Sequence, residues 1–336
     1  MNECNSKTTV AIIGAGIAGL SCATRLQTLG LQVQIYEKSR GLSGRMSTRN
    51  GDGWSADHGA QYFTARNPLF IEELKTWIKA GVAATWQPRL SVYEASQWRE
   101  STSNESRYVG VPAMTSPGKY LSKSLSIEFN QTITQIFRQD GKWSLCSLED
   151  GAITQSFDYV VLALPAPQVR SLVVSVDHPI EAVSTSINMQ GCWTVMVRPL
   201  GETHMPFDAA FINNEIISWL ARSNSKPGRT GQESWTIHAN PQWSQQWIEL
   251  EKEEASKQII ECAEKLGLPC KHAEISIHRW RYASGAIHLK DGFVLNEANK
   301  LGLCGDWLNG GRVEGAWLSG YQLACAISVS EKLLNQ

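Results

Sequence analysis

The chain has 336 residues, with 31 Lys and Arg against 32 Asp and Glu and a formal net charge of −1, so it carries no overall basic field of the kind nucleic acid or an anionic membrane surface demands. Hydrophobic residues make up 42% and charged residues 19%, which excludes a disordered or fibrous chain and allows two hydrophobic cores. Eight cysteines (Cys4, Cys22, Cys146, Cys192, Cys262, Cys270, Cys304 and Cys325) stand singly, without a CxxC pair or a zinc-type Cys/His spacing, and read as reduced thiols with no metal site.

The start, Met1 to Lys7, is polar and has no secretory hydrophobic region, and no later stretch reaches the roughly 18 apolar residues of a membrane span. A soluble cytoplasmic protein is expected. Thr9 to Ile13 is a short β-branched apolar run that ends in Gly14. Leu20, Ala23, Leu26 and Leu29 then share one helical face, with Gly30 as the stop, and Val33 to Tyr36 forms a second strand ending at Glu37. This β-α-β unit builds a parallel sheet. Tyr159 to Leu164 is a continuous apolar strand, stopped by Pro165 and Pro167. Trp193 to Val197, Ile216 to Ala221 and Ser234 to Ala239 read as strands of a second sheet, and Ser244 to Leu266 as one helix with a solvated face. Leu301 to Cys304 is a last buried strand, followed by a glycine-rich turn and an apolar helix from about Gly315 to Leu334.

The first and last pieces thus belong to one α/β nucleotide-binding domain, 1–68, 120–169 and 293–336. Residues 69–119 and 170–292 form an inserted α+β substrate domain on a mostly antiparallel sheet. Six of the 13 tryptophans fall between Trp193 and Trp280, which fits either a bulky core or an aromatic-lined pocket.

Gly14-Ala15-Gly16-Ile17-Ala18-Gly19 is a G-x-G-x-x-G turn set directly between strand and helix. The first glycine permits the turn, the second lets a pyrophosphate approach the backbone, and the third lets helix and strand pack closely, with the helix N-terminus facing the phosphates. Glu37 follows Gly14 by 23 residues (37 − 14), where an acid accepts ribose hydroxyls. NAD and FAD share this fingerprint. The loop Lys38 to Met46 brings glycines and Arg45, which neutralises a pyrophosphate, and Asp57 to Phe63 brings small residues with Gln61 and Tyr62 suited to a flat heterocycle. At the far end Gly305-Asp306 precedes Arg312-Val313-Glu314-Gly315. An aspartate there takes a ribityl hydroxyl, and a helix start stabilises the flavin pyrimidine edge. FAD is long enough to use both ends of the chain.

Gly14 to Arg45 resembles the N-terminal signature of the glutathione-reductase-like FAD superfamily, which includes amine oxidases, desaturases and aromatic hydroxylases. Asp57 to Thr64, the segment Val160 to Gln168 (VVLALPAPQ), Ile217 to Arg229 (ISWLARSNSKPGR) and His278 to Ala283 (HRWRYA) resemble the renalase family, notably its bacterial branch, in order and over nearly the whole chain. The resemblance implies a Rossmann-like, two-part FAD domain. It implies non-covalent FAD on the Gly14, Gly16, Gly19 turn, at Ala18, Glu37, Lys38, Arg45, Gln61 and Tyr62, with Ile133 beside the adenine and Gly305, Asp306 and Val313 beside the ribityl chain and ring. Ser43 departs from the family, which often has glycine there.

Renalase-like enzymes oxidise dihydropyridine isomers of NAD(P)H, passing hydride to flavin N5 and electrons to O2 to give H2O2. Such a substrate releases hydride with its own nitrogen lone pair pushing, so orientation is the main task. Tyr62, Trp193, Trp219 and Trp280 are candidate walls; His238, Arg279 and Arg281 are candidates to hold amide or phosphate groups. Arg279 and Arg281 alternate with Trp280 and share one strand face. An anionic ligand is one partner they could have. The alternatives are an amine oxidase or desaturase, with Lys290 as its lysine near N5, a flavin monooxygenase, and a non-catalytic nucleotide-sensing module. The oligomeric state and the NAD or NADP preference stay open.

Overall fold

A computed structural model describes residues 7–334; Cys4 and most of the polar start lie outside it. Its centre is a six-stranded sheet in the order Phe293–Asn296, Leu301–Cys304, Tyr159–Leu162, Thr9–Ile13, Gln32–Glu37, Ser126–Phe129. All neighbours run parallel except the edge strand Phe293–Asn296, which is antiparallel to Leu301–Cys304. The inner strands Tyr159–Leu162 and Leu301–Cys304 are buried at every position, which is why they read as unbroken apolar runs. The chain's first and last thirds therefore share one sheet.

The first helix, Ile17–Thr28, crosses the closing helix, Val313–Leu334, on one face of this sheet. Their crossing is close because Gly320 meets the Ala18 carbonyl: a Cβ there would fall against that oxygen and 2.9 Å from the carbonyl carbon. The Ser21 hydroxyl adds a 2.8 Å hydrogen bond to the Trp317 carbonyl.

A second, seven-stranded sheet has the order Glu274–Ser284, Gln190–Arg198, Trp235–Ala239, Ile217–Arg222, Ala209–Ile212, Leu90–Glu94, Gln97–Glu100, antiparallel but for the pair Leu90–Glu94 and Ala209–Ile212. The architecture is thus a Rossmann-like α/β unit with further, mostly antiparallel sheet. Helix Lys252–Lys265 packs Ala255, Ile259 and Ala263 into a core with Trp193, Val195 and Trp235.

The single helix expected over 244–266 is two helices, Pro241–Gln246 and Lys252–Lys265. Asn240 caps the first by accepting from Gln242 N at 2.9 Å. Across the break, carbonyls serve tertiary donors instead of a helix: Trp247 O accepts from Trp193 Nε1 at 3.0 Å and Ile248 O from Arg279 Nη1 at 3.0 Å. Tertiary contacts override helical propensity here. The strand expected to reach Leu164 ends at Leu162, while Glu274–Ser284 is the full strand that carries the HRWRYA run.

Candidate functional site

A cavity of about 1320 Å³ runs from the carboxyl ends of the parallel strands to the face of the second sheet, above the roughly 300–1,000 Å³ usual for small-ligand pockets. Its position follows from topology: Thr9–Ile13 has a parallel neighbour on each side, and a ligand crevice opens where strand order reverses.

At one end the glycine turn behaves as its spacing predicts. Gly14 has φ +107° and a Cβ there would lie 2.5 Å from the Ala163 carbonyl, so the turn needs glycine. Gly16 faces the cavity with nothing within 4 Å of its Cβ position, room for a phosphate to approach the backbone. Gly19 does not line the cavity; a side chain there would strike the Gly14 carbonyl, so its role is packing. Glu37 accepts from Ala15 N and Ser39 N, each at 2.8 Å, which ties the second strand to the turn and leaves lone pairs toward the cavity. Ser43, in the usual glycine place, keeps the left-handed backbone with φ +82° and is held by a 2.8 Å bond from its N–H to Ala15 O. Ala18, Lys38 and Ile133 line the same end.

Midway, Arg45 and Asp306 were expected to serve separate parts of a cofactor. The structure joins them: Nη2 donates to Oδ1 at 2.6 Å and Nη1 to Oδ2 at 3.0 Å. This fork–fork pair locks the opening loop to the closing strand, 261 residues on. Gly305 and Val313 lie beside it on the cavity wall. Glu314 points away and accepts from Arg66 N at 2.7 Å and Asn67 N at 2.6 Å, anchoring the start of the closing helix.

The far end carries His58, His238, His278 and Trp280, with Cys192 and Ser218. Trp280 stacks on His58 at 5.3 Å between centroids, meets His278 edge-on at 4.4 Å, and donates from Nε1 to the His58 carbonyl at 2.9 Å. Burial pushes the pKa of each histidine down to about 4, with neighbouring His, Lys or Arg charges adding to it. The three imidazoles are neutral at neutral pH.

Several expected residues stand elsewhere. Trp193 and Trp219 are buried and do not line the cavity. Cys192 faces the cavity, so strand alternation turns Trp193 to the opposite side. Tyr62 also lies off the cavity, packed at 5.6 Å from Trp219 and 6.2 Å from Trp86. Gln61 is buried just behind the wall, where Lys226 Nζ donates to its Oε1 at 3.2 Å. Arg279 and Arg281 border the cavity, but their head groups are engaged: the Arg279 guanidinium lies 5.4 Å from the centre of the Trp193 ring, on the strand face opposite Cys192, and Glu249 accepts from Arg279 Nη1 at 3.3 Å and from Arg281 Nη2 at 3.0 Å. Lys290 is exposed and does not line the cavity.

His58, His278, Cys192 and the buried pairing of Lys226 with Asp57 are additions that sequence reading missed. Only the Asp57 to Phe63, His278 to Ala283 and Lys226-Pro-Gly-Arg229 runs hinted at them.

The sequence pattern of the flavin-containing amine oxidoreductases matches residues 78–328, and that of an NAD(P)-binding Rossmann-like domain matches residues 12–74. The chain belongs to the flavin-containing amine oxidoreductase family. The cofactor of this oxidoreductase is FAD, and the cradle fits it: an open approach at Gly16, a carboxylate at Glu37 for a ribose, and a glycine-rich closing turn opposite. Among solved structures the oxidoreductase resembles a protein assigned as a protoporphyrinogen oxidase from Exiguobacterium sp. 255-15, with TM-score 0.78 and 13% identity over 96% of this chain and 99% of that one. It also resembles cyclohexylamine oxidase from Brevibacterium oxydans IH-35A (TM-score 0.72, 11% identity, 98% and 100% covered) and putrescine oxidase bound to putrescine (TM-score 0.72, 12% identity, 96% and 99% covered). At these identities the likeness is one of fold. A 4,4'-diapophytoene desaturase of Staphylococcus haemolyticus is 46% identical over 50 residues, a match that spans 15% of this chain and only 10% of the desaturase. Among the described residues no helix is long and apolar enough to cross a membrane.

Proposed function

We propose that this oxidoreductase is a renalase-like oxidase that takes hydride from a 2- or 6-dihydro-NAD(P) isomer and delivers the electrons to O2 as H2O2. The observation that carries this reading is the charge of the substrate end. The carboxylates lining the cavity are Glu37 and Asp306, both on the cofactor side, while the far end offers neutral imidazoles, an indole and two arginines. Among the described residues a cationic amine finds there no acid but Glu249, which both arginines already engage. A dinucleotide with a flat, uncharged ring and anionic phosphates finds a wall and counter-charges.

In this reading His58 and Trp280, already stacked, supply a flat face for the dihydropyridine and exclude water from it. Arg279 and Arg281 take the anionic part of the substrate in exchange for Glu249. No side chain has to remove a proton, because the ring nitrogen's lone pair drives hydride loss. Non-covalently bound FAD, when present, supplies the two-electron acceptor and the route to O2. The same reading divides the chain into a cofactor domain (1–68, 120–169, 293–336) and an inserted substrate domain (69–119, 170–292).

A second reading, amine or polyene oxidation, is favoured by the family and by the neighbours named above. Oxygen uptake separates the two. The first requires H2O2 formed one-for-one with 2- or 6-dihydro-NAD(P) oxidised and no uptake with putrescine or cyclohexylamine; uptake with the amines and none with the dihydropyridines would overturn it.

A further inference from the structure

Behind the wall formed by His58, Gly59 and Ala60 lies a buried ion cluster that the reaction above does not use. Asp57 accepts from Lys226 Nζ at 3.0 Å and from Arg229 Nη2 at 2.7 Å, and all three side chains are at most 1% exposed. Both cations hold Asp57 below the usual carboxylate range. Lys226 also donates to Gln61 Oε1 at 3.2 Å. The Gln61 amide is thereby set: its Nε2 side donates to the carbonyls of Asp57 and of Gly59, the latter at 3.3 Å, and faces His238 Nε2 at 3.5 Å. The His58 backbone acts on the same ring in the opposite sense, favouring its charged form. With two N–H groups for three neighbours, the contact to His238 shares a hydrogen with one of the carbonyls, and Gln61 stands as a polar bridge between the buried ammonium and a cavity-lining imidazole.

We propose that Lys226 is a positioning residue that acts through Gln61 and by its charge to hold the His238 ring neutral further into acid than burial alone does, so that the ring losing hydride beside it does not develop positive charge against an imidazolium. This rests on the reading of the cavity as a hydride-transfer site. The charged and titratable groups on the elements packed about His238 are Lys226, Asp57, Arg229, Arg49, His58, Cys192, Arg198, Arg222, His278 and Arg279. Lys226 is the charge that lowers the His238 pKa, after burial itself, and Asp57 keeps that charge paired and fixed. An opposite charge within about 4–6 Å moves a pKa by roughly 1–3 units, a like charge acts in the contrary sense, and the Lys226 ammonium stands one amide away from the ring.

The test is the His238 titration, followed by NMR of ring-labelled histidine in the cofactor-free protein and assigned with His238→Asn. Lys226→Met raises the His238 midpoint from about 4 by about one pH unit or more, and Lys226→Arg, which keeps the charge, leaves it low. In the loaded enzyme the acid limb of anaerobic flavin reduction shifts by the same amount. An unchanged midpoint in Lys226→Met, or an equal rise in Lys226→Arg, overturns the proposal. If Lys226→Met does not fold, Gln61→Glu decides: a carboxylate against His238 Nε2 must carry the midpoint above its ordinary 6.5, and a midpoint still near 4 overturns the proposal. The titration needs no substrate, so it fails or succeeds independently of which compound is oxidised.

Discussion

Gly320→Ala probes whether the two ends of the chain must meet closely to hold the cofactor. Gly320 lies outside the cavity, on the closing helix, and its added Cβ would stand against the Ala18 carbonyl oxygen, 2.9 Å from that carbonyl's carbon and 3.0 Å from Cys22 N. All three atoms are backbone of the first helix and cannot rotate aside. Restoring ordinary contact at 3.4 Å moves the helices apart by about half an ångström or more, an overpacking cost of roughly 1–3 kcal/mol. Alanine regains about 1 kcal/mol of helix propensity, so a net loss of up to roughly 2 kcal/mol is expected. The displacement also draws Val313 and the Asp306 junction away from the Gly14–Gly16 turn, so FAD affinity falls by about tenfold, the equivalent of ~1.4 kcal/mol. Urea midpoints of the cofactor-free protein and flavin-fluorescence titration measure the two effects. Gly201→Ala, where nothing lies within 4 Å of the Cβ position, serves as the neutral control. A Gly320→Ala protein with wild-type midpoint and wild-type FAD affinity would refute the reasoning.

Acid should destabilise the protein before its carboxylates titrate. His58, His238 and His278 have folded pKa values near 4 against an ordinary 6.5, so between these values the unfolded chain binds more protons and stability falls as pH falls, by about 1 kcal/mol per pH unit for the buried His238 and by less for His58 and His278, which solvent screens; denaturant midpoints at pH 7 and pH 5 check this. Arg45→Met leaves Asp306, 12% exposed, without its bidentate partner and should weaken FAD binding by roughly 10–100-fold, read by the same titration. Glu249→Gln frees Arg279 and Arg281 and should lower KM for phosphate-bearing dihydropyridines several-fold at low salt, the effect fading as salt is raised, while KM for a dihydronicotinamide lacking phosphate stays put.

The cofactor half was legible because its constraints are local: three glycines, a strand and an acid must sit at fixed spacing, and the strand, turn and helix that carry Gly14, Gly16, Gly19 and Glu37 fold at that spacing. The strand Leu301–Cys304 was legible because burial on both faces leaves an unbroken apolar run. The substrate half was not. Trp193 and Trp219 were candidate walls, yet an indole on a strand points to either face, and only the pairing of Gln190–Arg198 with its neighbours fixes which. His58 and His278 fell inside runs that drew notice, yet nothing singled them out, since lone histidines without ligand spacing look like any others. Lys226 and Asp57 lie 169 residues apart, and no local pattern marks a buried lysine. The helix break at Trp247 to Glu251 depends on Trp193 and Arg279 claiming its carbonyls, a tertiary event invisible to periodicity.

The most direct measurement is anaerobic stopped-flow reduction of the FAD-loaded protein. The account predicts that 2- or 6-dihydro-NAD(P) bleaches the flavin absorbance in a fast phase, with ordinary NADH slower by orders of magnitude and amines inert. A protein that takes up no FAD, or whose flavin responds to an amine and ignores both isomers, would contradict it.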